Sequence, residues 1–98
     1  IDGDFEKALK YYKMALDEYR SVKEKKREAI ALNDIGKLYK SNKNYERALA
    51  NYTAALEIRQ SLKDKVGIAQ TYNDIAILYF EQGNIQKAIP NLELALAE

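Results

Sequence analysis

Histidine, cysteine and tryptophan are all absent from this chain of 98 residues. Without cysteine there is no disulfide framework and no thiolate chemistry. Without histidine there is no imidazole general base, no Ser-His-Asp arrangement and little basis for a zinc or iron site. No catalytic, cofactor-binding or metal-binding residues are therefore expected, and the chain is not read as an enzyme. Charge of one sign is also lacking: 16 Lys and Arg stand against 15 Asp and Glu, for a net charge of +1. So small a net charge sets up no strong field to draw the chain to nucleic acid or to a membrane surface. No apolar run approaches a membrane span, and no signal-peptide pattern opens the sequence.

What is present is the composition of a folded domain. Charged residues make up 32% and hydrophobic residues 47%, which suits a globular chain and not a disordered one. The densest basic run is KEKKR, from Lys23 to Arg27. Glu24 and Glu28 interrupt it and no second patch supports it, so it reads as a solvated turn and not a phosphate-contacting patch. The chain opens on Ile1 and not on Met, and is read as a piece of a longer array, expected in the cytoplasm.

The sequence repeats itself. NDIGKLY, from Asn33 to Tyr39, returns as NDIAILY, from Asn73 to Tyr79. At the same offset Ala29, Leu38, Ala48, Asn51, Ala55 and Leu56 meet Ala69, Leu78, Ala88, Asn91, Ala95 and Leu96. Going backwards, Ala48, Leu49, Tyr52, Ala55 and Leu56 meet Ala8, Leu9, Tyr12, Ala15 and Leu16. Two full units (residues 25–63 and 64–98) thus follow the second half of another (residues 1–24), in one domain. Internal self-similarity of this kind governs the whole architecture.

Each unit reads as two helices. Leu32, Ile35, Gly36 and Tyr39, then Tyr45, Ala48, Leu49, Tyr52, Ala55 and Leu56, follow the three-and-four spacing of one helical face. Nothing alternates with a period of two, so the chain is predicted to be all-α. Asp4, Asn44 and Asn84 share one repeat position and suit helix starts, as does Asp64; Glu24 is a poorer cap. Gly3, Lys43 and Gly83 precede three of them, where the preceding helix is expected to end in a left-handed residue. Helices are predicted over 4–22, 25–42, 44–61, 65–82 and 84–98. Pro90 falls inside the last, where it removes one hydrogen bond and should bend the helix.

The pattern Leu32, Ile35, Gly36, Tyr39 with Ala48 and Tyr52, and again Tyr72, Ile75, Ala76, Tyr79 with Ala88 and Leu92, resembles the tetratricopeptide repeat. The period is 40 residues, not the family's usual 34, and Gln60 occupies the family's closing proline position. Six extra residues add about 9 Å of helix per unit, as in the family's longer-helix variety. The resemblance implies an α-solenoid of antiparallel helix pairs, about five helices here.

It further implies a concave groove lined by the first helix of each pair. Those positions are Ile30, Asn33, Lys37 and Lys40, then Gln70, Asn73, Ile77 and Phe80, with Asp34 and Asp74 at the groove's edge. Asn33 and Asn73 would clamp a peptide backbone; Lys37 and Lys40 would meet an acidic group; Ile77 and Phe80 would offer an apolar seat. The pairs Asn33 with Lys37, and Asn73 with Ile77, do not match the family's carboxylate clamp. The implied function is a protein–protein interaction module or scaffold whose partner is another protein or peptide. The alternatives are a structural or oligomerisation segment, or the sensor part of a larger regulatory protein. Uncapped ends of such an array leave apolar surface exposed, so self-association is also expected.

Overall fold

In a computed structural model, residues 2–97 are described, and they form five α-helices. These are α1 (Asp2–Ser21), α2 (Lys25–Ser41), α3 (Tyr45–Ser61), α4 (Lys65–Glu81) and α5 (Ile85–Ala97). Every described residue outside them lies in one of four three-residue turns, at 22–24, 42–44, 62–64 and 82–84. Each helix packs on the next in the chain. The result is a slab of 34 × 34 × 15 Å, consistent with an all-α helical repeat solenoid.

The four turns share one construction. Lys23, Lys43, Lys63 and Gly83 all have positive φ, between 56° and 79°. In each, the following residue's N–H reaches back five positions: Glu24 to Tyr19 O (2.9 Å), Asn44 to Tyr39 O (2.9 Å), Asp64 to Arg59 O (3.0 Å) and Asn84 to Tyr79 O (2.8 Å). With the shorter bond of the left-handed residue itself, for example Lys43 N to Lys40 O at 2.9 Å, this is a Schellman ending that satisfies the last carbonyls of the helix. The residue that completes the ending also starts the next helix. Asn44 Oδ1 accepts from Arg47 N (3.3 Å), Asp64 Oδ1 from Gly67 N (3.0 Å) and Asn84 Oδ1 from Lys87 N (3.2 Å), while Glu24 makes no side-chain cap bond.

The expected left-handed residues at Lys43 and Gly83 are therefore found, and two more lie at Lys23 and Lys63. Gly3 and Asp4 do not play the roles expected of them. Both lie inside α1, which continues towards the N-terminus as far as Asp2, so neither ends nor caps a helix. Helix α5 runs unbroken through Pro90, and the predicted last residue of that helix, Glu98, lies outside the described residues.

The core sits between α2 and α3 and spreads to α1 and α4. Ala29, Ala48, Ala55, Tyr52, Ile35 and Leu78 are buried there. Small residues at the helix crossings let the axes approach, and larger ones fill the spaces left beside them. Of the four tyrosines in the repeat pattern, Tyr39 and Tyr52 are buried, whereas Tyr72 and Tyr79 are half-buried. The apolar row of α5, namely Ile85, Ile89, Leu92 and Leu96, stays largely in solvent because no later element covers it among the described residues.

Candidate functional site: a two-part groove

Two clefts meet on the face shared by α2 and α4. The first, about 360 Å³, is lined by Ile30, Asn33, Asp34 and Lys37 of α2, Arg59 of α3, and Gln70, Asn73 and Asp74 of α4. The second, about 240 Å³, lies between α4 and α5 and is walled by Ala76, Ile77, Phe80, Ile85, Ala88, Ile89 and Leu92. Asn73 lines both. The two clefts thus adjoin at Asn73, the first lined mainly by charged and polar side chains and the second by apolar ones.

Helical geometry places these residues. Ile30, Asn33 and Lys37 recur at three and four residues along α2, and Gln70, Asn73, Ile77 and Phe80 do the same along α4, so each set forms a stripe beside its core stripe. Seven of the eight positions expected in a groove line one cleft or the other. Lys40 lines neither. Its ammonium pairs instead with the Glu81 carboxylate at 3.4 Å, which ties the end of α2 to the end of α4.

The two asparagines occupy equivalent repeat positions but different environments. Asn33 is buried at 6% exposure, and its Nδ2 donates to Asp74 Oδ2 at 2.6 Å. Its donating half is thus engaged with another helix. Asn73 is exposed, with its amide at the junction of the clefts. Asp34 and Asp74, expected at the groove's edge, lie in the wall of the charged cleft. Burial raises the pKa of Asp34, against the opposing effect of Lys37 and, less strongly, of Arg59. Below the wall, the buried Tyr52 phenol has a raised pKa, chiefly through burial and then through the nearby negative charges of Asp74 and Glu81.

Arg59 was not visible as a groove residue in the sequence. It sits in the last turn of α3, where a basic side chain ordinarily reads as a favourable end charge. In the structure it is buried and crosses to α4, where Nη1 donates to Gly67 O at 3.2 Å and to Thr71 Oγ1 at 2.8 Å. Thr71 Oγ1 in turn donates to Gly67 O at 2.9 Å. The nearest sequence signal was Gly67 and Thr71 one turn apart on the inner face of α4.

Among the described residues no group of three or more acidic side chains could hold a metal ion, and no helix is long and apolar enough to cross a membrane. The groove offers hydrogen-bonding groups, among them the exposed amides of Gln70 and Asn73, and an apolar trough.

A family model described as tetratricopeptide repeat matches residues 1–61 and again 27–97. The crystal structure of the TPR domain of FLU from Arabidopsis superposes with a TM-score of 0.85 at 27% identity, covering 98% of this chain and 81% of that one. The crystal structure of BtubC from P. vanneervenii superposes with a TM-score of 0.84 at 28% identity, covering 97% of this chain. The chain spans only 39% of the length of BtubC. No curated protein matches.

Proposed function

The chain belongs to the tetratricopeptide repeat family, whose repeats are protein-interaction modules, and on that premise we propose that it binds a peptide segment of another protein in its concave groove. The observation that carries this reading is that the charged and apolar clefts share Asn73 in their walls. A bound segment can place apolar side chains on Ile77 and Phe80 while its polar groups meet Asn73, Gln70 and Lys37. Phe80 is 64% exposed although it is a large aromatic, and it stands beside Ile85 and Ile89, which are also exposed. Contiguous apolar surface of this kind marks interaction sites.

Selection of displayed peptides against the full chain tests the proposal. The selected peptides are expected to lose binding to Phe80→Asp and to keep it with Tyr11→Asp, which alters an exposed aromatic on α1. Equal binding to both variants would place the interaction elsewhere.

A further inference from the structure

The wall of the charged cleft holds an unpaired base and an unpaired acid. Arg59 is 7% exposed, yet among the described residues no carboxylate forms an ion pair with its guanidinium. Its Nη1 is engaged by two neutral acceptors, Gly67 O and Thr71 Oγ1, and no described residue accepts from Nε or Nη2. A buried cation without a counter-ion is costly. Asp34 is half-buried, which raises its pKa, and it too has neither an ion pair nor a hydrogen bond among the described residues. Both side chains line the cleft, with Lys37, Gln70 and Asn73 beside them.

The arginine is held there by its surroundings. A Cβ at position 67 would come within 2.9 Å of Arg59 Cδ and Nε, so the bare backbone of Gly67 lets the guanidinium lie against α4. One unit earlier, the places of Arg59, Gly67 and Thr71 are taken by Tyr19, Arg27 and Ala31. The arrangement belongs to this cleft and not to the repeat pattern.

We propose that the charged cleft seats two side chains of opposite charge on a bound peptide segment, a carboxylate on Arg59 and a lysine or arginine on Asp34. The inference rests on the peptide-groove reading and names the chemistry of the segment's polar part. Nε and Nη2 form the edge of a guanidinium that can meet both oxygens of one carboxylate, and Lys37 adds charge of the same sign. A lone acidic group is a poor match. It would approach Asp34 and also Asp74, whose carboxylate is held by the Asn33 amide. A lone basic group would face Lys37 and leave Arg59 unpaired. Two acids and two bases line the cleft, so a segment with one charge of each sign answers both unpaired groups and leaves the balance unchanged. Partly buried pairs of this kind are screened less by salt than pairs in open solvent.

A display library of random peptides, selected against the full chain, supplies the probes. Selected peptides are expected to carry an acidic and a basic residue besides the apolar ones that depend on Phe80. Replacing the peptide's basic residue by Gln should weaken binding about tenfold, as loss of a hydrogen bond to a charged group does, and should have no further effect on Asp34→Asn. Replacing its acidic residue by the matching amide should weaken binding about tenfold in the parent chain and less in Arg59→Lys, which lacks the two-pronged edge. Binding should also lower the Asp34 pKa, read by NMR from its carboxyl carbon, because a neighbouring cation favours the ionised form. Circular dichroism checks that both variants fold. If Arg59→Lys does not, Asp34→Asn and the Asp34 titration decide the matter. Selected peptides without paired charges, or affinity indifferent to Asp34→Asn with an unmoved Asp34 pKa, would overturn the inference. If those peptides still lose binding to Phe80→Asp, the groove reading stands without it. A library that yields no binder overturns both.

Discussion

Gly36 on α2 and Tyr52 on α3 are fitted to one another. A Cβ at position 36 would come within 2.6 Å of Tyr52 Cε1 and 3.2 Å of the Ala48 carbonyl oxygen. The next unit makes the opposite choice at both places, with Ala76 facing the level of Leu92. In each unit a larger side chain on one helix goes with a smaller one on its neighbour.

Gly36→Ala should therefore destabilise the fold, although alanine in an exposed helix interior ordinarily gains about 1 kcal/mol over glycine. The ring of Tyr52 is fully buried and cannot swing aside. A net loss of about 1–2 kcal/mol is expected from overpacking. In a Tyr52→Leu background the same change should cost nothing or become favourable. Chemical denaturation of the four chains of this cycle measures the coupling, and additive effects would show that the two side chains do not compete for one space.

Lys43→Gly should stabilise the chain, because lysine at a φ of 62° carries the left-handed penalty of about 1–2 kcal/mol that glycine escapes. The greater freedom of glycine in the unfolded chain offsets part of the gain. A rise of several degrees in Tm is expected, on the scale of about 4–8 °C per kcal/mol for a domain of this size. Lys43→Val should lower Tm. The fourth turn, with Gly83, already shows the relaxed form.

These turns also show what the sequence makes legible. Helix starts could be read because Asn44, Asp64 and Asn84 advertise an oxygen for free backbone N–H groups. Left-handed lysines advertise nothing: Lys23 and Lys63 have no chemistry that favours positive φ, and only the recurrence of Ser-x-Lys at Ser21, Ser41 and Ser61 hints that all three turns are built alike. The groove stripe came from the resemblance to the tetratricopeptide repeat, with the helical period placing its residues. The bonds across it were not legible, because Asn33 with Asp74 and Arg59 with Thr71 join different helices, and their pairing depends on how the helices cross.

The two repeat-equivalent asparagines should separate stability from binding. Asn33→Ala removes the donor to Asp74 and leaves a partly buried carboxylate without it, which should cost about 1–3 kcal/mol. Asn73→Ala, at an exposed position, should change stability by no more than about 0.5 kcal/mol. Thermal melts of the two variants check this, and equal losses would contradict the division of roles.

Asp34 should give stability a pH dependence opposite to that of a paired carboxylate. Its pKa is raised in the folded chain, chiefly by burial, so the folded state holds this proton more tightly than the unfolded state. The group's contribution is then most favourable in acid. It falls as pH rises from the ordinary aspartate value of about 3.9 through the raised one. Asp34→Asn should stabilise the chain at pH 7 more than at pH 3. Equal effects at both would mean that Lys37 and Arg59 fully offset the burial of the carboxylate.

The central claim, a peptide seat along the groove, is tested most directly by mapping amide shifts on the full chain with a peptide selected against it. The account predicts that perturbations follow Lys37, Gln70, Asn73, Ile77 and Phe80 and continue onto Ile85 and Ile89. Perturbations confined to α1 around Tyr11 and Met14, or to the exposed side of α3, would contradict it.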